Sequence, residues 1–153
     1  WSSDVCSSDL HMSVQIDPRG PRFGAAITTV VLAVTLLTLP ATTGTVLLAA
    51  QTVVFAIGAF VGLHAQPYGI LFRKVVRPRL GAPGELEAVE PPTFAQLVGF
   101  LFTAVALVAI AVGSNTVAIG AVALALGAAF LNAAFGICLG CEMYVIGQRL
   151  RNR

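Results

Sequence analysis

Charge is scarce in this sequence. Only 10% of its 153 residues are Asp, Glu, Lys or Arg, where an ordinary soluble domain carries about 25%. Two stretches have none at all, Gly24 to Leu63 and Phe94 to Cys141. With 57% of residues apolar, too little polar material remains to cover a globule in water. Recognisable catalytic signatures are missing as well. There is no phosphate-binding loop and no Ser/His/Asp set with interpretable spacing. There is no haem attachment motif, because the C-x-x-C near the C-terminus is followed by Glu142 and not by His. No cofactor is implied by any motif.

Cysteine is scarce too, and one of the three is suspect. The first ten residues, WSSDVCSSDL, read back into DNA as a sequencing-library adapter translated in one frame. Residues 1–11 are therefore expected to be a translation artefact outside the fold, with a natural start at Met12. Setting them aside removes Cys6, Asp4 and Asp9. That leaves 9 basic residues against 5 acidic ones, and two cysteines, Cys138 and Cys141.

What remains is organised by hydropathy. Uncharged apolar runs of about 18 or more residues read as transmembrane helices. The sequence predicts four, near 23–39, 43–63, 94–113 and 115–137. At 1.5 Å per residue each is long enough for a hydrocarbon core of about 30 Å, and a segment in lipid must satisfy its own backbone hydrogen bonds. The expected fold is all-α: a polytopic membrane protein of four helices in two hairpins, forming one domain over 12–153. A cleaved signal peptide is the rival reading of the first run, but that run exceeds the usual apolar core and shows no clear small-x-small cleavage site.

All nine Lys and Arg residues fall on one side of this arrangement. They lie before the first run, in the connection 64–93 and after the last run. The positive-inside rule then predicts that both termini and the 64–93 loop lie on the cytoplasmic side of the membrane. The basic residues are explained by this orientation and by the lipid bilayer, and need no nucleic-acid partner. Tyr68 to Arg77 mixes bulky apolar and basic residues and is expected to lie in the headgroup layer. Pro78 to Pro92 reads as a solvated, turn-rich segment.

Small residues four apart allow close helix approach in lipid. Gly58 and Gly62 fit on the second run, and Asn132, Gly136 and Gly140 on the fourth. Gln51 and Asn132 are the deepest polar side chains and are expected to face the bundle interior and to hydrogen-bond to each other across the second and fourth helices.

Cys138-Leu-Gly-Cys141, with Glu142 beside it, is the motif with chemistry. It can cycle between dithiol and disulfide, supply half of a metal site, or simply pack. The metal reading is poor: the nearby donors are two thiols, Glu142 and His64, and a closed zinc site wants four ligands. Redox has its own obstacle. In a continuous helix the pair sits about 5–6 Å apart at Cβ, too far for a disulfide, and near a helix C-terminus the dipole opposes a thiolate. A break at Gly140 would reverse that, starting a tail helix beside the thiols. In the redox reading Cys141 exchanges with a partner, Cys138 resolves the mixed disulfide, and Glu142 accepts a proton. The alternative is a non-catalytic membrane scaffold or subunit packing through its small-residue faces, in a homo-oligomer or on another membrane protein. Enzymatic activity is left open.

Four stretches carry a resemblance. They are Ile16-Asp-Pro-Arg-Gly-Pro-Arg-Phe-Gly-Ala25, Pro67-Tyr-Gly-Ile-Leu-Phe-Arg73, Val76-Arg-Pro-Arg-Leu80 and Asn132-Ala-Ala-Phe-Gly-Ile-Cys-Leu-Gly-Cys-Glu-Met-Tyr144. Together they resemble an actinobacterial membrane family catalogued as domain of unknown function 4395, over nearly the whole chain from Met12. Ile137 departs from the aromatic residue associated with that position. The family is similar in size and thiol placement to small membrane proteins found beside rhodanese-like and thioredoxin-like proteins. The resemblance thus implies a cytosolic partner of that kind and a thiol or sulfur-relay role, with no activity attached to it.

Overall fold

The computed structural model of the chain describes residues 14–151. The expectation for residues 1–11 therefore lies outside the described residues. The fold is all-α apart from a two-residue ribbon. Strand β1 (Gln15–Ile16) leads into α1 (Arg19–Thr38). A tight turn leads to α2 (Thr42–Ala56), which runs on as a π-turn through Val61. The connection holds a short helix, α3 (Pro67–Leu71), continued by irregular turns to Arg79, and strand β2 (Glu87–Ala88). Then come α4 (Glu90–Ala111), α5 (Asn115–Phe135) and α6 (Leu139–Arg151).

Four helices are long and apolar enough to cross a membrane: α1, α2 with its π-turn, α4 and α5. They fall on the four apolar runs. Their ends follow from local chemistry. Helix α1 stops at Thr38 because Pro40 drives Leu39 to an extended conformation, ψ 144°. Helix α4 opens on Glu90-Pro91-Pro92, where the missing proline N–H groups are orphans anyway and the carboxylate suits the dipole. The helices close into a ring, α1 on α2, α2 on α4, α4 on α5 and α5 on α1, with α6 laid against α4.

The tightest packing sits near the two short turns. Leu32, Leu48, Ala106, Ala118 and Val122 are buried there in one cluster. Alanines at these positions let the backbones approach, as lipid-embedded bundles require. Buried Thr35, Thr52 and Thr103 satisfy their hydroxyls by donating to the carbonyls of Val31, Leu48 and Gly99, one turn back.

The opposite end is more irregular and departs from expectation in three ways. First, β1 and β2 pair antiparallel, Gln15 with Ala88 and Ile16 with Glu87, clasping the N-terminal segment to the connection. Arg19 reinforces the clasp by donating to the Gly81 carbonyl at 3.0 Å and to Asp17 at 3.0 Å. Partial burial raises the Asp17 pKa, but its bonds to the Arg19 guanidinium and backbone N–H outweigh this and hold it below the usual range. Second, Tyr68 and Phe72 turn inward, onto the bundle. Phe72 is 3% exposed and packs on Phe23 with ring centroids 5.8 Å apart. Third, the fourth apolar run does not stay helical to 137. Helix α5 ends at Phe135, and Gly136 turns left-handed at φ +69°, so the break is at Gly136 and not at Gly140.

Candidate functional site

The break at Gly136 positions the cysteines. A left-handed residue after a helix is a natural place for glycine, which has no Cβ to clash. Gly136 donates its N–H to the Asn132 carbonyl at 3.1 Å, and the chain restarts as a helix at Leu139. Cys138 therefore precedes the first residue of α6, and Cys141 completes the first turn. The Cys138 carbonyl accepts the Glu142 N–H at 3.0 Å. The Cys138 Sγ accepts the Cys141 backbone N–H at 3.3 Å, as an N-capping side chain does. The geometric obstacle of a continuous helix is gone: Cys138 and Cys141 are joined as a disulfide with Cα atoms 5.1 Å apart, inside the usual range of about 4.4–6.8 Å.

The pair now sits at the start of a helix, where the dipole favours a thiolate rather than opposing it. The Arg22 guanidinium lies 3.6 Å from where a Cβ on Gly136 would stand, two residues before Cys138. Glu142 is exposed in the first turn of α6. Its carboxylate makes no hydrogen bond or ion pair among the described residues, so nothing in the geometry singles it out as a proton acceptor. No three His, Cys, Asp or Glu side chains converge among the described residues.

The other candidate residues take varied roles. Gly140 is buried where α6 crosses α4, and a Cβ there would come within 2.6 Å of the Ala95 Cα. Gly58 faces Gln96, whose Cγ would be 2.8 Å from its Cβ. Gly62 and Gly136 are not helix-packing positions, because both have positive φ, +119° and +69°: they are chain reversals. Gln51, 1% exposed, is interior as expected but is not bonded to Asn132. Its Nε2 donates to Thr28 Oγ1 at 3.4 Å and its Oε1 accepts the Tyr68 hydroxyl at 2.8 Å. Burial pushes the Tyr68 phenol upward, keeping it a donor. Asn132 is partly buried, with no side-chain hydrogen bond among the described residues.

Sequence reasoning missed an open cavity of about 270 Å³ lined by residues of all four long helices and the start of α6. Cys138 lines it and Cys141 does not. Its walls include Phe55, Phe102, Leu124 and Met143, with Thr28, Gln96 and Asn132 as the polar side chains. A bond from Gln66 Nε2 to Gln96 Oε1, 2.8 Å, stands between it and a second cavity of about 540 Å³ beneath the β-ribbon, which includes His64, Arg73 and Arg77. The spacing of Gln96 and Asn132, thirty-six residues apart in separate helices, gave no sign that they share a space.

Fold and site together define a four-helix membrane-type bundle with a cysteine pair at the head of an appended helix. Compared with models of known protein families, residues 16–149 match the one described as domain of unknown function (DUF4395), and the chain belongs to that family. No curated protein and no solved structure matches it.

Proposed function

We propose that the chain is a thiol–disulfide component of a bacterial cytoplasmic membrane, with both termini and the 64–93 segment inside, exchanging electrons with a cytosolic thioredoxin-like or rhodanese-like protein. The observation that carries this reading is the capping of Cys138 Sγ by the Cys141 N–H at the N-terminus of α6. Thiol–disulfide exchange runs fastest when the departing sulfur is a stabilised thiolate. A partner thiolate attacks Cys141 Sγ and forms a mixed disulfide. The Cys138–Cys141 bond breaks, and Cys138 leaves as a thiolate held by the helix N-terminus. A second partner thiol then attacks the mixed disulfide and releases Cys141. The partner ends as a disulfide and the pair as two thiols, with both electrons and both protons accounted for.

The scaffold alternative has less to stand on. Gly58 and Gly140 meet Gln96 and Ala95 of the same chain, so those faces are used inside the bundle. The orientation rests on the basic residues: every described Lys and Arg lies outside the four long helices or in the first turn of α1. In this reading Leu139, Met143, Ile146 and Leu150, all exposed and on one stripe of α6, rest in the lipid interface.

The test uses the chain with Cys6→Ser, so that only the pair is counted. Membranes are treated with mild oxidant, then reductant, and maleimide-reactive thiols are counted by mass after each step. Two thiols vanishing and returning together support the reading. A pair that stays reduced and fully reactive after oxidant sinks it.

A further inference from the structure

The geometry points to the cavity beside Cys138 as the site of a quinone ring that takes electrons from the cysteine pair. This rests on the thiol reading above and supplies what that reading leaves open: where the electrons go after the partner is oxidised.

Three features define the occupant. The cavity is walled by all four long helices, so a lipid-soluble ligand can reach it from a bilayer that surrounds them. None of its lining residues is charged, which disfavours an anionic or cationic ligand, since the lining offers its charge no partner. Its polar side chains can serve a hydrogen-bond acceptor. Gln96 Oε1 is already engaged by Gln66, which leaves the Gln96 NH2 to donate. The Asn132 amide has no partner among the described residues, although an amide in a spanning helix ordinarily finds one. A neutral, flat, apolar molecule with carbonyl oxygens on its edge matches that set. The volume of about 270 Å³ lies just under the usual range of about 300–1,000 Å³ for ligand pockets. A head of one or two rings fits, and its isoprenoid tail is left to the lipid.

The chemistry of the pair points to the same occupant. Cys138 lines this cavity and Cys141 does not, so the two sulfurs face different reactants. In the reduced pair the Cys138 thiolate adds to a ring carbon, forming a C–S bond. The Cys141 thiolate then attacks Cys138 Sγ, the S–S bond forms, the C–S bond breaks, and the electron pair leaves with the ring. The two thiol protons end on the two ring oxygens. The balance is one quinone and two thiols giving one quinol and one disulfide. The Cys138 thiolate released by the partner is thus the same sulfur that meets the ring, and α6 stabilises it for both steps.

The test compares the chain carrying Cys6→Ser with two cavity variants on the same background, Ala128→Phe, which fills the space, and Asn132→Leu, which removes the donor. Each is reduced, freed of reductant and mixed with decylubiquinone in detergent, and thiol loss and quinol formation are followed. Diamide, a small water-soluble thiol oxidant, is run in parallel. The inference expects one quinol per two thiols lost, saturation with decylubiquinone, and a half-saturating concentration raised about tenfold or more in at least one variant, while diamide closes the pair in all three. If diamide closes the pair and decylubiquinone does not, or acts equally on all three, the quinone site is overturned and the thiol reading stands. If neither oxidant closes the pair, both fall.

Discussion

The seat of α6 on α4 can be tested with two glycines of one helix. At Gly140 an added Cβ would stand 2.6 Å from both Cα and Cβ of Ala95, where ordinary carbon contacts lie near 3.5–4.0 Å. The backbone itself is in the way, and Ala95 has no flexible end to swing aside. The helices must separate by about 1 Å, and overpacking of this kind costs about 1–3 kcal/mol. At Gly147 a Cβ meets nothing within 4 Å. There Gly→Ala brings only its helix-propensity gain, up to about 1 kcal/mol. Because α6 can loosen without unfolding the bundle, the readout should be local: backbone hydrogen exchange of α6 amides. Gly140→Ala should speed exchange about 5- to 150-fold, the factor that 1–3 kcal/mol represents, and Gly147→Ala should slow it or leave it unchanged. Equal exchange in the two variants would refute the close crossing and remove the structural reason for the position of Cys141.

Other outcomes follow from single contacts. Gly136→Ala should cost about 1–2 kcal/mol from the left-handed backbone alone, since its nearest neighbour, Arg22, leaves room at 3.6 Å; Gly136→Asn should recover much of this, and detergent unfolding of the two variants checks it. Tyr68→Phe removes the donor to Gln51 Oε1 and should destabilise the bundle by about 1 kcal/mol, more than Asn132→Leu, whose amide has no partner to lose among the described residues. In the reduced chain Cys138 should be alkylated faster than Cys141 at neutral pH, measured in the Cys141→Ser and Cys138→Ser variants; the reverse order would contradict the capping of Cys138. Asp17 has a lowered pKa, so its contribution is complete above the ordinary aspartate range and disappears as pH falls through the lowered value. The stability gap between the natural chain and Asp17→Asn should therefore be constant near neutrality and close on acidification.

The spans were legible because charge is excluded from lipid so strongly that its absence over 24–63 and 94–141 reports them directly. The ribbon was not, since two residues at 15–16 pair with two at 87–88 and strands that short have no period to read. The amide pairing expected between Gln51 and Asn132 also failed, for a related reason: the partner of Gln51 came from Tyr68, in a segment whose apolar residues were assigned to the membrane surface. The cysteine site depended on a choice between two glycines that look the same in one-letter code. Gly136 is needed for its left-handed backbone, and Gly140 for the absence of a side chain against Ala95. Both uses of glycine are ordinary, and the local sequence does not say which residue has which. Yet the direction of the dipole at Cys138, and so the chemistry of the pair, turns on that assignment.

That division extends to the bundle as a whole. The end with the short turns is filled by Leu32, Leu48, Val122 and small alanines, packed closely enough to hold the ring without any further element. The other end carries the cavity, the amides of Gln96 and Asn132, and the cysteine pair, and it is covered by parts that a minimal four-helix bundle does not need: α3, the ribbon and α6. A bundle whose only task was to pack would gain nothing from an open cavity of about 270 Å³ there. Nor would it have reason to place on that wall an Asn132 that has no side-chain hydrogen bond among the described residues, when a leucine would fill the space. Both make sense if the cavity is occupied in the working protein, and Asn132→Leu separates the two cases. In a packing bundle it should be neutral or stabilising and leave the pair's oxidation untouched. In a bundle built around a ligand it should stabilise the empty protein while slowing oxidation of the pair by the ligand.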